Sequence, residues 1–150
     1  MGRRMLRLMG VGLALAFLLG LTAPAAHAQE LISITNVTGT VNSAGDVIVY
    51  ATIVCAERTY ISDADTQVTQ PPGRTNSVLG IGDLDGAPIA ECSSQPTVVA
   101  IPLQEYQGVF KPGTARVHAS IFGCTVPTEE GGAYYCAETE VNRILRLTRA

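Results

Sequence analysis

Tryptophan is absent from the 150-residue sequence, and aromatic residues make up only 5% of it. A core built on a tryptophan packed against a cystine is therefore excluded. Histidine is almost as scarce, with two residues, of which only His118 lies outside the N-terminal segment. No paired C-x-x-C spacing accompanies it, so a zinc site lacks its donor set. No G-x-S-x-G elbow or comparable context pairs a nucleophile with a base, which leaves a hydrolase without its machinery. Lys and Arg number 10 against 13 Asp and Glu, with no basic stripe, and nucleic acid is a poor partner for such a surface. Beyond the N-terminal segment no helix of ordinary length shows an apolar stripe, and no repeat is evident.

What is present begins with an export signal. Arg3, Arg4 and Arg7 form a basic start, Gly10 to Leu21 is an apolar run too short for a good membrane span, and Pro24 breaks it. Ala26-His27-Ala28 matches a cleavage site, so residues 1–28 read as a signal peptide and residues 29–150 as one mature, secreted domain with no further membrane span. Three of the ten basic residues leave with the leader and no acidic residue does. The net charge thus moves from −3 to −6, which favours solubility.

The mature part alternates like a β protein. Ala115, Val117, Ala119 and Ile121 share one face of a strand that follows Pro112-Gly113, expected as a type II turn; Thr114, Arg116, His118 and Ser120 share the other. Val47–Cys55 is apolar on both faces, as suits a central strand. Leu31–Thr40, Thr59–Gln70 (Ala64, Thr66 and Val68 inward), a weak Thr75–Gly82, Thr97–Leu103 and Ala137–Leu147 supply the others. Turn clusters separate them at Asn42–Asp46 and Pro71-Pro72-Gly73-Arg74, and Asp83 to Pro88 reads as a loop. Seven short strands of this kind imply an all-β chain, an immunoglobulin-like antiparallel β-sandwich.

The four cysteines, Cys55, Cys92, Cys124 and Cys136, imply two disulfides in an exported domain. If strands run alternately up and down, all four fall at one end of the sandwich. The second and fifth strands are then sheet neighbours and the last two form a hairpin, which predicts Cys55–Cys92 and Cys124–Cys136. A Cys55–Cys124 bridge across the sandwich is the alternative.

The segments Asp46–Cys55, Cys92–Val99 and Phe110–Ser120, the last reading F-K-P-G-T-A-R-V-H-A-S, give the chain a resemblance to an uncharacterised family of small secreted domains from high-GC Gram-positive bacteria. That resemblance implies an immunoglobulin-like fold and no known activity. Asn36-Val37-Thr38 matches a glycosylation sequon, incidental in a bacterial protein.

The segment Thr125–Tyr135 is the expected binding loop. Tyr134 and Tyr135 offer rigid amphipathic contact area, Gly131-Gly132 adaptability, and Glu129 and Glu130 negative charge. Asp83-Leu84-Asp85-Gly86 resembles a fragment of a calcium loop but lacks the later ligands, so a turn is expected there and no metal or cofactor is implied. The functional expectation is a non-enzymatic extracellular module that binds a protein, glycan or small molecule. The alternatives are a small-molecule carrier of the enediyne-apoprotein type, which shares the exported sandwich and two disulfides, and a secreted protease inhibitor.

Overall fold

The chain forms eight strands in a computed structural model that describes residues 31–71 and 77–150. The expected leader lies outside the described residues, as do residues 72–74 of the expected turn.

Alternation sets the central strand. In β2 (Val47–Cys55) every second residue is buried and those between are half-buried. A strand apolar on both faces needs neighbours along both edges. It has them in β1 (Ile32–Val41) and β5 (Thr97–Pro102), both antiparallel to it. The second group is centred on β7 (Gly113–Thr125), whose Ala115, Val117, Ala119 and Ile121 are all buried as the pattern predicts. It pairs with β3 (Thr59–Gln70) on one side and β8 (Tyr135–Arg149) on the other. Beyond β3 lie β4 (Val78–Cys92) and the short β6 (Glu105–Gln107).

The order β5-β2-β1-β8-β7-β3-β4-β6 is one curled sheet. Its two arms are joined by a brief parallel contact between β1 and β8, Thr40 beside Thr148 and Val41 beside Arg149. The arms face each other across the core. At one end Ile32, Ala51, Ile53 and Ile101 meet Ile61, Ala64 and Ile121, together with Cys55 and Cys92. At the other end Val41, Val47 and Val49 meet Val68, Val117, Leu147 and Phe110. The Phe110 ring stands edge-on to Tyr106, with centroids 6.0 Å apart, and the Val47 amide donates to the Tyr106 hydroxyl at 3.2 Å.

Both expected disulfides form, Cys55–Cys92 and Cys124–Cys136, and both lie at the same end. The Cys55–Cys124 alternative is thereby excluded.

Three expectations are corrected. Among the described residues there are eight strands where about seven are expected, because β6 adds to the open edge of β4. Residues 83–88 are strand rather than loop: β4 continues to Cys92 because β3 offers it a backbone partner along nearly its whole length. Ladder pairing there outweighs the poor strand propensity of glycine and aspartate. The calcium-like fragment is therefore extended, with Asp83 opposite Asp65 and Asp85 opposite Asp63. Lastly, the corner at Pro112 is a bend in which Gly113, at φ 150°, already opens β7, and not a type II turn.

Gly80, inside the segment read from sequence as a weak strand, makes room for the core. A Cβ there would collide with Leu103 Cδ1 and come 2.8 Å from Phe110 Cε2.

Candidate functional site

The β7–β8 hairpin carries its ladder unbroken from Gly113–Leu147 to Thr125–Tyr135. Cys124 and Cys136 are direct partners one step below the loop, with Cα atoms 4.0 Å apart. The ladder closes on Thr125: its Oγ1 donates to the Tyr135 carbonyl and accepts from the Tyr135 amide, both at 3.3 Å. Above it the tip turns back through a 3.0 Å bond from the Gly132 amide to the Glu129 carbonyl. Gly131 sits in that turn at φ 83°, a conformation that costs a glycine nothing. The two glycines, read from sequence as sources of adaptability, thus hold a defined turn; a Cβ on Gly132 would meet Pro127 Cβ at 2.6 Å.

The loop is also tied sideways. The Val126 amide donates to the Arg58 carbonyl at 3.0 Å, and Arg58 Nη2 donates to the Pro127 carbonyl at 3.0 Å. Arg58 stands at φ 62° in the corner between β2 and β3. Nothing near residues 126–127 in sequence announces this residue, which makes it a contact of the candidate site that sequence reasoning missed.

All four predicted site residues are brought to the tip. Glu129 and Glu130 are exposed at the turn, and Tyr134 and Tyr135 are 67% and 70% exposed. Exposure of two adjacent large aromatics costs contact with water that burial against a partner would relieve. An open hollow of about 300 Å³ lies within the loop, with Val126, Pro127, Ala133 and Tyr135 among its walls.

The outer face of β8, β7, β3 and β4 is acidic just below the tip, and carries Arg116 and Arg146 at its far end. Phe122 is exposed on β7, with Glu138 opposite it on β8 and Asp63 opposite it on β3. Asp65 and Asp83 follow one step further. Partial loss of hydration first, on a residue that is still exposed, and then the negative charge of Asp63, hold the Asp65 carboxyl above its ordinary value; His118 opposes the shift, while Asp83 and Glu138 add to it. The Ser120 hydroxyl donates to Glu138 Oε1 at 2.6 Å, and His118 Nε2 lies 3.8 Å from Glu140 Oε2. Serine and histidine on β7 thus address two different carboxylates rather than each other. No group of three or more His, Cys, Asp or Glu arranged to hold a metal ion occurs among the described residues. The opposite outer face, on β1, β2 and β5, is uncharged; it presents Thr38, Thr40, Ile48, Tyr50, Val98 and Ala100.

Compared with protein-family models, with curated proteins and with solved structures, the chain matches none. What it can do rests on the site itself. That site offers surface contact and charge, with no assembled nucleophile and base among the described residues.

Proposed function

We propose that this chain is a secreted, non-enzymatic binding module that captures an extracellular protein or glycan through the tip of its β7–β8 hairpin. The observation that carries the reading is the pair of exposed tyrosines, Tyr134 and Tyr135, on a tip held by a cystine, a glycine turn and two bonds to the Arg58 corner. A tip ordered before binding loses little conformational entropy when it docks, and tyrosine supplies contact area with few rotors to freeze. Two disulfides agree with an oxidising, extracellular setting. The immunoglobulin-like reading rests on the strand order, with β1, β2 and β5 in one arm and β8, β7 and β3 in the other. The hollow within the loop is open and lies at the small end of ligand sites, which favours surface recognition over carriage of a small molecule. Glu129, Glu130 and the acidic sheet end below them disfavour polyanionic partners.

The test compares the wild-type protein with a Tyr134→Ala, Tyr135→Ala variant. Both are immobilised and exposed to medium and surface glycans of the producing cells. The variant keeps its circular dichroism and melting temperature and loses what the wild type retains. Equal capture by both proteins, or no capture by either, defeats the reading.

A further inference from the structure

The two cystines occupy opposite chemical environments. Cys55 and Cys92 are 3% and 0% exposed, packed with Ile53, Ile61 and Val99 in the core. No external thiol reaches them while the arms of the sheet stay together. Cys136 is exposed and Cys124 half-buried on the outer face of the hairpin, outside both core clusters. Thiol–disulfide exchange requires a thiolate to approach one of the two sulfurs, so access decides which cystine reacts.

We propose that Cys124–Cys136 is a thiol–disulfide exchange site, specific for dithiols, that opens the base of the hairpin tip while the β fold stays closed. The reading of the tip as a binding surface is not needed for it. A thiolate of the dithiol attacks Cys136 Sγ, the more accessible sulfur, and forms a mixed disulfide. The bond to Cys124 Sγ breaks, and Cys124 leaves as a thiolate that takes up a proton. The reductant's second sulfur, as its thiolate, attacks the reductant's first sulfur in the mixed disulfide, and the bond to Cys136 Sγ breaks. Cys136 leaves as a thiolate that takes up a proton and the reductant leaves as its disulfide, so two electrons pass from dithiol to cystine.

The surroundings select the reductant. Glu138 lies two residues beyond Cys136 on the same face, and Glu129 and Glu130 lie on the tip above it. This negative field repels the glutathione thiolate, which carries carboxylates besides, more than the thiolate of an otherwise uncharged dithiol such as dithiothreitol. A monothiol must also find a second molecule to complete the step, whereas a dithiol completes it within one encounter.

The fold survives because the link is redundant below the tip and not above it. The β7–β8 ladder continues from Cys124–Cys136 down to Gly113–Leu147, and Val117, Ile121 and Leu147 remain packed. Above the cystine the loop keeps only the Thr125, Arg58 and Glu129–Gly132 bonds. Reduction therefore loosens residues 126–134 and leaves the sheet in place.

The experiment treats the oxidised protein in native buffer with dithiothreitol, and separately with glutathione at equal thiol concentration. Aliquots are quenched with iodoacetamide and mapped by peptide mass. The expected result is labelling of Cys124 and Cys136 at least 100-fold faster than Cys55 and Cys92. Dithiothreitol should be faster than glutathione, far-ultraviolet circular dichroism unchanged, and amide exchange faster within residues 126–134 alone. A Cys124→Ser, Cys136→Ser variant takes up no label over the same interval. Simultaneous labelling of all four cysteines, earlier labelling of Cys55 and Cys92, or loss of the sheet signal with the first pair overturns the proposal. Unchanged amide exchange at the tip overturns its opening, and glutathione matching dithiothreitol overturns the dithiol preference.

Discussion

Phe110 and Gly80 share one space at the end of the core away from the cystines, and a double-mutant cycle on them tests the packing quantitatively. The Phe110 ring is 2% exposed, and any side chain at Gly80 would press against it and against Leu103. Phe110→Ala removes a fully buried aromatic and leaves a cavity, which costs about 3–5 kcal/mol. Gly80→Ala forces atoms into occupied space, which costs about 1–3 kcal/mol after the smaller entropy gain of replacing glycine. In the double variant the new methyl points into the space the ring has left, and only the conflict with Leu103 persists. The double variant should therefore be more stable than the sum of the single losses by about 1–2 kcal/mol. The measurement is urea unfolding of the four oxidised proteins, with the slope checked for constancy so that midpoints can be compared. Losses that add within about 0.5 kcal/mol would refute the claim that Gly80 is glycine because of the ring.

Three further outcomes are expected. Replacing Cys55 and Cys92 by alanine removes a 37-residue constraint worth about 4 kcal/mol in the chain-entropy model and leaves a core defect besides, whereas replacing Cys124 and Cys136 removes a 12-residue constraint worth at most about 3 kcal/mol; urea midpoints in the opposite order would contradict the environments described. Because the Asp65 carboxyl is held above its ordinary 3.8, the fold disfavours its ionised form, a penalty complete above the raised value and lost as pH falls through it to below 3.8. Asp65→Asn should accordingly raise the melting temperature at pH 7 and confer no advantage at pH 3; an advantage that persists at pH 3 would assign the effect to something other than charge. Ser120→Ala, which deprives Glu138 of a 2.6 Å bond from a buried hydroxyl, should lower stability by about 1.5 kcal/mol in thermal melts, while Glu138→Ala combined with it should add little.

The legible parts of the fold were those written locally. Val47 to Cys55 and Ala115 to Ile121 alternate so plainly that both faces of β2 and β7 follow from the residues alone. An up-and-down order of strands then places all four cysteines at one end and favours the pairing that forms, with Cys55–Cys124 left as the alternative. The illegible parts depend on partners distant in sequence. Gly80 reads as a weak strand residue until Phe110, thirty positions later, is seen against it. The Asp83–Asp85 segment reads as a turn until β3 is seen to supply its ladder, and only that register sets Asp83 beside Asp65. At the tip, Glu129, Glu130, Tyr134 and Tyr135 could be named from composition and turn signals. Their anchorage through Arg58 could not, since residue 58 meets residues 126 and 127 only after the sheet has formed.

The placement of both cystines at one end makes the molecule mechanically lopsided. The Ala150 amide donates to the Val41 carbonyl at the Phe110 end of the sheet, where no cystine ties the strands together. A pull on the C-terminus therefore works first against the brief parallel contact with β1 and then unzips β8 from β7, one pair at a time, from Leu147 upward. It stops at Cys136, which is covalently fastened to Cys124. Beyond that point tension passes into β7 and, through its ladder, into β3, whose end lies beside the second cystine. While the Cys124–Cys136 cystine is intact the force crosses directly from Cys136 to Cys124, and the tip with its tyrosines is bypassed by the load.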